Sequence, residues 1–172
     1  FKEYDMKNRF FNMDLAGGAL LDIGVYALSL IRSFMNEKPE EVLSQWLPSP
    51  TGSDEMATIL LKNSAGQMAT AALSMHSKQP KRAVISCEKG YIEIMEYPRA
   101  DKARIVDAET GAVREIAAGS TPRALYYELQ DMEAAVRSGD TSALRFQQTR
   151  DVMEIMTSLR KEWGLRYPNE VW

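Results

Sequence analysis

The sequence predicts an α+β domain: an open, mostly antiparallel sheet of about six or seven strands with helices packed on one face. Three observations carry that expectation. Leu15 to Met35 is apolar for most of its length yet keeps a line of polar groups at helical spacing. Glu41 to Ile116 changes to a two-residue period interrupted by short turns that end in glycine. From Thr121 to Trp163 the helical period returns twice.

The first helix is the segment on which the functional reading rests. Residues 1–14, FKEYDMKNRFFNMD, have no clean period and read as an irregular arm, with Asp14 as the expected N-cap. Beyond it Asp22, Tyr26, Ser29 and Ser33 fall at i, i+4, i+7 and i+11, one stripe of a helix. Leu21, Val25, Leu28 and Arg32 repeat that spacing one position earlier, so most of the circumference is expected to be covered by protein. Lys38-Pro39 cannot continue the helix, which therefore ends near Asn36.

Two features mark the stripe as a candidate site. Gly17 and Gly18 precede the helix, and glycines there let another group come close to backbone amides whose dipole favours negative charge. A phosphate, a carboxylate or a cofactor ring fits that description. Asp22 and Tyr26, one turn apart, would present a carboxylate and a phenol to one small molecule. The same spacing also suits two groups that bond each other, or nearby backbone, inside an ordinary core helix. Arg9, among polar and aromatic neighbours in the arm, is a candidate for a substrate or cofactor anion, or else for a salt bridge.

The strands are expected at Glu41–Leu47, Met56–Lys62, Gln67–His76, Ala83–Cys87, Tyr91–Glu96, Ala103–Asp107 and Ala112–Ile116. Asn63-Ser64-Ala65-Gly66, Glu88-Lys89-Gly90 and Glu109-Thr110-Gly111 connect them as hairpin loops do, which makes sequential strands antiparallel. Thr121-Pro122 then opens a helix whose apolar face is Leu125, Leu129, Met132 and Val136 and whose cap is Gly139. Val152, Ile155, Met156, Leu159 and Trp163 give the face of the last helix, closed by Gly164. These two helices should lie together on one sheet face. With no internal repeat and no long linker, residues 1–172 read as a single domain.

Composition narrows the partners. A net charge of −3 with scattered Lys and Arg argues against nucleic acid. One cysteine, Cys87, and one histidine, His76, leave no familiar metal-ligand spacing, so no metal site is expected and both residues are read as packing. Asp22 and Arg32 interrupt the apolar run from Leu15, which argues against a membrane span, and a cytoplasmic location is the expectation. The mixed second sheet face, with Met68, Thr70, Ala72 and Ser74, together with ten methionines, suggests self-association through the sheet. The chain opens at Phe1, as a piece of a longer protein would, and it lacks GxGxxG and GxxxxGK[ST] loops, so any nucleotide should be held mainly elsewhere.

GGALLDIGVY at Gly17 to Tyr26, the long strand region and WGLRYP at Trp163 to Pro168 resemble the C-terminal domain of the glucose-fructose oxidoreductase and inositol dehydrogenase family. That resemblance implies a substrate-binding and oligomerising half whose partner, a Rossmann domain binding NAD or NADP, is absent from this chain. It implies a CH–OH oxidoreductase acting on a sugar, polyol or dihydrodiol. Many relatives carry histidine where this chain has Tyr26. The tyrosine form is similar to glucose-fructose oxidoreductase itself and to dimeric dihydrodiol dehydrogenases, where the phenol is the suspected proton carrier. By that resemblance Tyr26 exchanges the proton and Asp22 orients the substrate or tunes the site.

Tyrosine's ordinary pKa of about 10 means that Tyr26 needs a neighbouring cation to act as a base near neutrality. The family supplies it as a lysine of the Rossmann half, so the fragment alone is expected to be inactive. The competing reading is a small-molecule-binding or assembly module that keeps the fold without catalysis.

Overall fold

The computed structural model describes residues 3–168 and 170–171; Phe1 and Lys2 of the arm, and Asn169 and Trp172 of the tail, lie outside them. The order of elements is α1 (Val25–Phe34), β1 (Glu41–Pro48), β2 (Asp54–Lys62), β3 (Met68–Ser74), β4 (Arg82–Cys87), β5 (Gly90–Met95), β6 (Lys102–Asp107), β7 (Val113–Ala117), α2 (Ala124–Ser138) and α3 (Phe146–Trp163). Seven strands stand where the sequence places them, each paired antiparallel with its neighbour in sequence. They form two sheets, β1-β2-β3 and β4-β5-β6-β7, where one had been expected. The five residues Gln79, Pro80 and their neighbours between His76 and Arg82 carry no ladder, and a proline there supplies no amide for one.

Internal contacts divide the chain into two compact units, one built from residues up to Gln79 with those from Gln147 onward, the other from Pro80–Phe146. In the first unit, alternation along β2 sends Ala57, Ile59 and Leu61 to one face. Their ladder partners Trp46, Ser44 and Val42 on β1, and Leu73, Ala71 and Ala69 on β3, fall on the same face. That face is the core. Leu20, Leu28 and the α3 residues Val152, Ile155, Met156 and Leu159 join it in one buried cluster. Trp163 of α3 donates its indole N–H to Ser44 Oγ at 2.8 Å and stacks on Trp46, which ties the helix to the sheet edge.

The opposite face of this sheet carries Leu43, Leu47, Met56 and Met68, all exposed. Met13–Phe34 is long and apolar enough to cross a membrane, but its inward residues Leu20 and Leu28 are packed wholly inside this core.

The second unit is held by hairpins. Asp107 Oδ1 accepts from the amides of Glu109 and Thr110 and from the Thr110 hydroxyl, an Asx-type turn that fixes the β6–β7 reversal. Glu93 on β5 accepts from Arg82 and Arg104 on either side, an exposed cross-strand triplet.

Three local expectations are corrected. Asn12, not Asp14, caps the arm's short 3₁₀ turn, accepting from the Asp14 amide at 2.8 Å. Thr121 does not cap α2; a 3₁₀ turn at Thr121–Arg123 leads into the helix, and the Thr121 hydroxyl donates to the Arg99 carbonyl at 2.7 Å. The apolar stripe of α2 is not buried on a sheet: Leu125, Leu129, Met132 and Val136 are exposed, and of the helix only Ala135 is buried. Helical spacing marks a face that tolerates apolar groups without saying what covers it. Gly139 does cap α2, with φ +75 and its amide bonded to the Ala135 carbonyl at 2.9 Å.

Candidate functional site

The site is built at the start of the first helix, which is not a regular α-helix there. Leu20–Gly24 forms one π turn, with the Val25 amide bonded to the Leu20 carbonyl, before α1 begins. A π turn inserts a residue into the helical register and re-aims the side chains beside it, a device frequent at functional sites. The stripe read from the sequence survives with a changed outlook. Tyr26, Ser29 and Ser33 are exposed and Asp22 is half-buried, while Leu28 and Arg32 of the neighbouring line are buried. Tyr26, 43% exposed, is open to a small molecule.

Asp22 and Arg9, picked out separately in the sequence, meet: Arg9 Nη1 lies 2.7 Å from Asp22 Oδ1. The guanidinium also covers the Phe10 ring at 4.3 Å. Arg9 is thus committed first to the Asp22 carboxylate, the salt-bridge alternative open at the sequence level. That pair fixes the orientation of the carboxylate, four residues before Tyr26 in the chain. Tyr26 is exposed and Asp22 half-buried, so neither lies inside the core.

Gly17 and Gly18 do permit a close approach, but the group that approaches belongs to the chain. The Gly17 amide bonds to the Asn12 carbonyl at 2.9 Å and the Gly18 amide to the Phe10 carbonyl at 3.0 Å. Two residues on from Gly18, the Leu20 amide donates to Asp54 Oδ2 at 2.5 Å. A Cβ on Gly18, whose φ is +130, would overlap Asp54 Oδ1, and one on Gly17 would stand 2.7 Å from the Arg9 carbonyl. The donors that a phosphate would use are engaged by carbonyls and a carboxylate of the protein itself.

Asp54 is the residue the sequence did not reveal. It is wholly buried, and burial pushes its carboxyl from 3.8 to about 7, against the amide hydrogen bonds of Leu20, Asp54 itself and Ala19 and the charge of Arg160, which pull the other way. The strand was expected to begin at Met56, which made Asp54 a turn residue. A separation of 34 residues from Leu20 left no local signal of their contact.

The closing motif reaches the same place. The Tyr167 hydroxyl donates to the Gly17 carbonyl at 2.7 Å, and Arg160 lies over the Tyr167 ring while bonding Glu170 Oε2 at 2.5 Å. Burial, then the Asp54 charge, hold the Tyr167 phenol above its ordinary value. Tyr167 is therefore a structural hydroxyl that holds the glycine turn. His76 stacks on Tyr4 at 4.5 Å, in keeping with a packing role. Cys87 is exposed at the end of β4. Among the described residues no three His, Cys, Asp or Glu side chains gather as a metal site requires.

The profile of the GFO/IDH/MocA C-terminal domain matches residues 1–93, more than half of the chain. The chain belongs to that family. Within it, trans-1,2-dihydrobenzene-1,2-diol dehydrogenase of Xenopus laevis is 26% identical over 168 residues, 93% of this chain and 51% of that protein. The scyllo-inositol 2-dehydrogenase (NADP(+)) IolU of Bacillus subtilis is 26% identical over 163 residues, 92% of this chain and 48% of that protein.

The fold recurs in solved structures. UDP-N-acetylglucosamine 3-dehydrogenase GnnA from Acidithiobacillus ferrooxidans superposes with a TM-score of 0.73 at 19% identity, over 94% of this chain and 51% of that one. The aldose-aldose oxidoreductase from Caulobacter crescentus, complexed with glycerol, does so with a TM-score of 0.73 at 22% identity, over 95% and 50%. This chain spans about half the length of the relatives it matches.

Proposed function

We propose that this chain is the substrate-binding and oligomerising half of a cytoplasmic NAD(P)-dependent oxidoreductase acting on the CH–OH group of a sugar, polyol or dihydrodiol. The observation that carries the reading is Tyr26: an exposed phenol four residues on from the Arg9-held carboxylate of Asp22, on the helix that the Gly17-Gly18 pair precedes. The relatives named above as dehydrogenases of a dihydrodiol and of an inositol support the substrate class.

The residues of this chain do not fit the phosphates of a nicotinamide nucleotide. Carbonyls take the Gly17 and Gly18 amides and Asp54 takes the Leu20 amide, so the helix start presents a filled anion site. The chemistry that falls to the chain is the proton. Tyr26 exchanges it with the substrate oxygen through the phenol, and Asp22, oriented by Arg9, accepts a hydrogen bond from a neighbouring hydroxyl of the same substrate. Polyhydroxylated substrates suit that pair, because each of the two groups finds its own oxygen.

In the protein that carries both halves, Tyr26→Phe keeps the ring and removes the proton carrier. Turnover should fall about 10²-fold or more in steady-state assays, and unchanged turnover would make Tyr26 a packing residue. Self-association is proposed through the exposed face of the β1-β2-β3 sheet, where Leu43, Leu47, Met56 and Met68 stand together. Sedimentation at micromolar concentration should give a species heavier than one 19.4 kDa chain; a monomer throughout would end that proposal.

A further inference from the structure

We propose that Asp54 is the positioning residue of this site: brought in on β2, it caps the first turn of the helix that carries Asp22 and Tyr26 and so sets where those two side chains stand. The proposal rests on the reading of Asp22 and Tyr26 as the functional pair, but its argument is geometric. A helix start leaves amide donors without intrahelical partners, and a side-chain acceptor there decides where the first turn begins. Here the residues before the helix supply no side-chain cap; the Leu20 amide is met by Asp54 Oδ2 at 2.5 Å, from a strand 34 residues away. Asp22 lies two residues beyond that bond and Tyr26 six.

The cap has little room to move. Gly18 makes the approach possible, since any Cβ there would overlap Asp54 Oδ1. Tyr167 clamps the Gly17 carbonyl behind it at 2.7 Å. Asp54 is 0% exposed, and its Oδ1 has no hydrogen-bond partner among the described residues. An acceptor left unsatisfied in the core is costly, and its retention at the root of the site helix is what a purely structural cap would not need.

The same placement makes the site's geometry responsive to pH. The groups that face Asp54 are the amides of Ala19, Leu20 and Asp54 on the helix and strand, Arg160 on α3, and Tyr167 with Glu170 beyond it on the tail. Of these, the amides and Arg160 favour the charged carboxylate, whereas burial opposes it and wins. The carboxyl has been pushed to about 7, so the cap gains its full charge only as pH passes neutrality. A charged acceptor binds an amide more tightly than a neutral one, and the first turn tightens with it.

The test uses the 172-residue chain and reads structure, so it is independent of any assay of turnover. Amide hydrogen exchange and ring proton shifts are followed by NMR from pH 5 to 9 in wild type, Asp54→Asn and Asp54→Ala. In wild type the Leu20 amide shift and the Tyr26 ring shifts should move together, with one midpoint near neutrality. Asp54→Asn keeps an acceptor, so Leu20 should stay protected while both titrations vanish. Asp54→Ala should speed Leu20 exchange about tenfold and displace the Tyr26 ring shifts at every pH. Slow exchange at Leu159 in α3 shows that the unit remains folded; if Asp54→Ala abolishes it, the Asn variant decides alone. A Tyr26 ring that is indifferent to pH and to both substitutions overturns the proposal, whatever Tyr26→Phe does to turnover. Loss of turnover in Asp54→Asn with KM unchanged would support it; an unaffected Tyr26→Phe enzyme would instead remove the functional reading and leave the cap standing.

Discussion

Asp151→Ala should unfold the first unit more readily by about 3–5 kcal/mol, the largest single loss expected in this protein. Asp151 on α3 and Arg32 on α1 form an ion pair 2.7 Å apart, with side chains only 3% and 11% exposed. Each partner makes a further hydrogen bond. Gln147 donates to Asp151 Oδ1 at 2.8 Å, and Arg32 Nη1 donates to the Met35 carbonyl at 2.9 Å. Burial pushes the Asp151 carboxyl up, but hydrogen bonds from Arg32 and Gln147 and the charges of Arg32 and Lys38 outweigh it and hold the group below its ordinary value.

Removing the carboxylate strands a buried guanidinium, and the penalty is mostly that of the orphaned charge. Urea unfolding followed by circular dichroism measures the loss. The double substitution Arg32→Met, Asp151→Leu should recover most of it, because two apolar groups of similar volume leave no charge to desolvate. A single Asp151→Ala variant within about 1 kcal/mol of wild type would show that the pair is wetter than its burial implies.

Stability should also fall as pH rises from about 4 to about 7, by up to roughly 4 kcal/mol, and then level off. The cause is Asp54. Its carboxyl sits at about 7 in the folded chain against 3.8 for an unburied aspartate, a gap of about three units at roughly 1.4 kcal/mol each. Between those two values the folded state holds a proton that the unfolded state has released, so raising the pH favours unfolding. The contribution is complete below the unfolded value and gone above the folded one. Asp151 works in the opposite sense: its depressed carboxyl stabilises above the ordinary range and loses that effect as pH falls below it. Asp54→Asn separates the two. Chemical unfolding at half-unit intervals should show the downward slope in wild type and its absence in the Asn variant, while an equal slope in both would assign the proton to another group.

Much of the fold was legible because it is local. The period of two marked all seven strands to within a residue or two at most ends, and Gly139 and Gly164 marked two helix ends, since pleat alternation and left-handed caps are written in neighbouring residues. The candidate pair Asp22 and Tyr26 was legible for the same reason, four residues apart on one helix. The partition of seven strands into sheets of three and four was not legible, because alternation is equally satisfied either way. The π turn escaped too: it changes one hydrogen-bond register without changing the residue pattern.

By itself the sequence determined the elements, their antiparallel order, the glycine turn and the stripe that carries Tyr26. Tertiary structure decided what each long-range group does. It turned Arg9 from an anion-binding candidate into the partner of Asp22, gave Tyr167 the Gly17 carbonyl, and filled the helix start with Asp54. Local spacing sets which way a side chain leaves its own element. Contacts across 34, 119 and 150 residues depend on how elements pack, and burial then decides whether a carboxylate such as Asp54 or Asp151 is held up or held down.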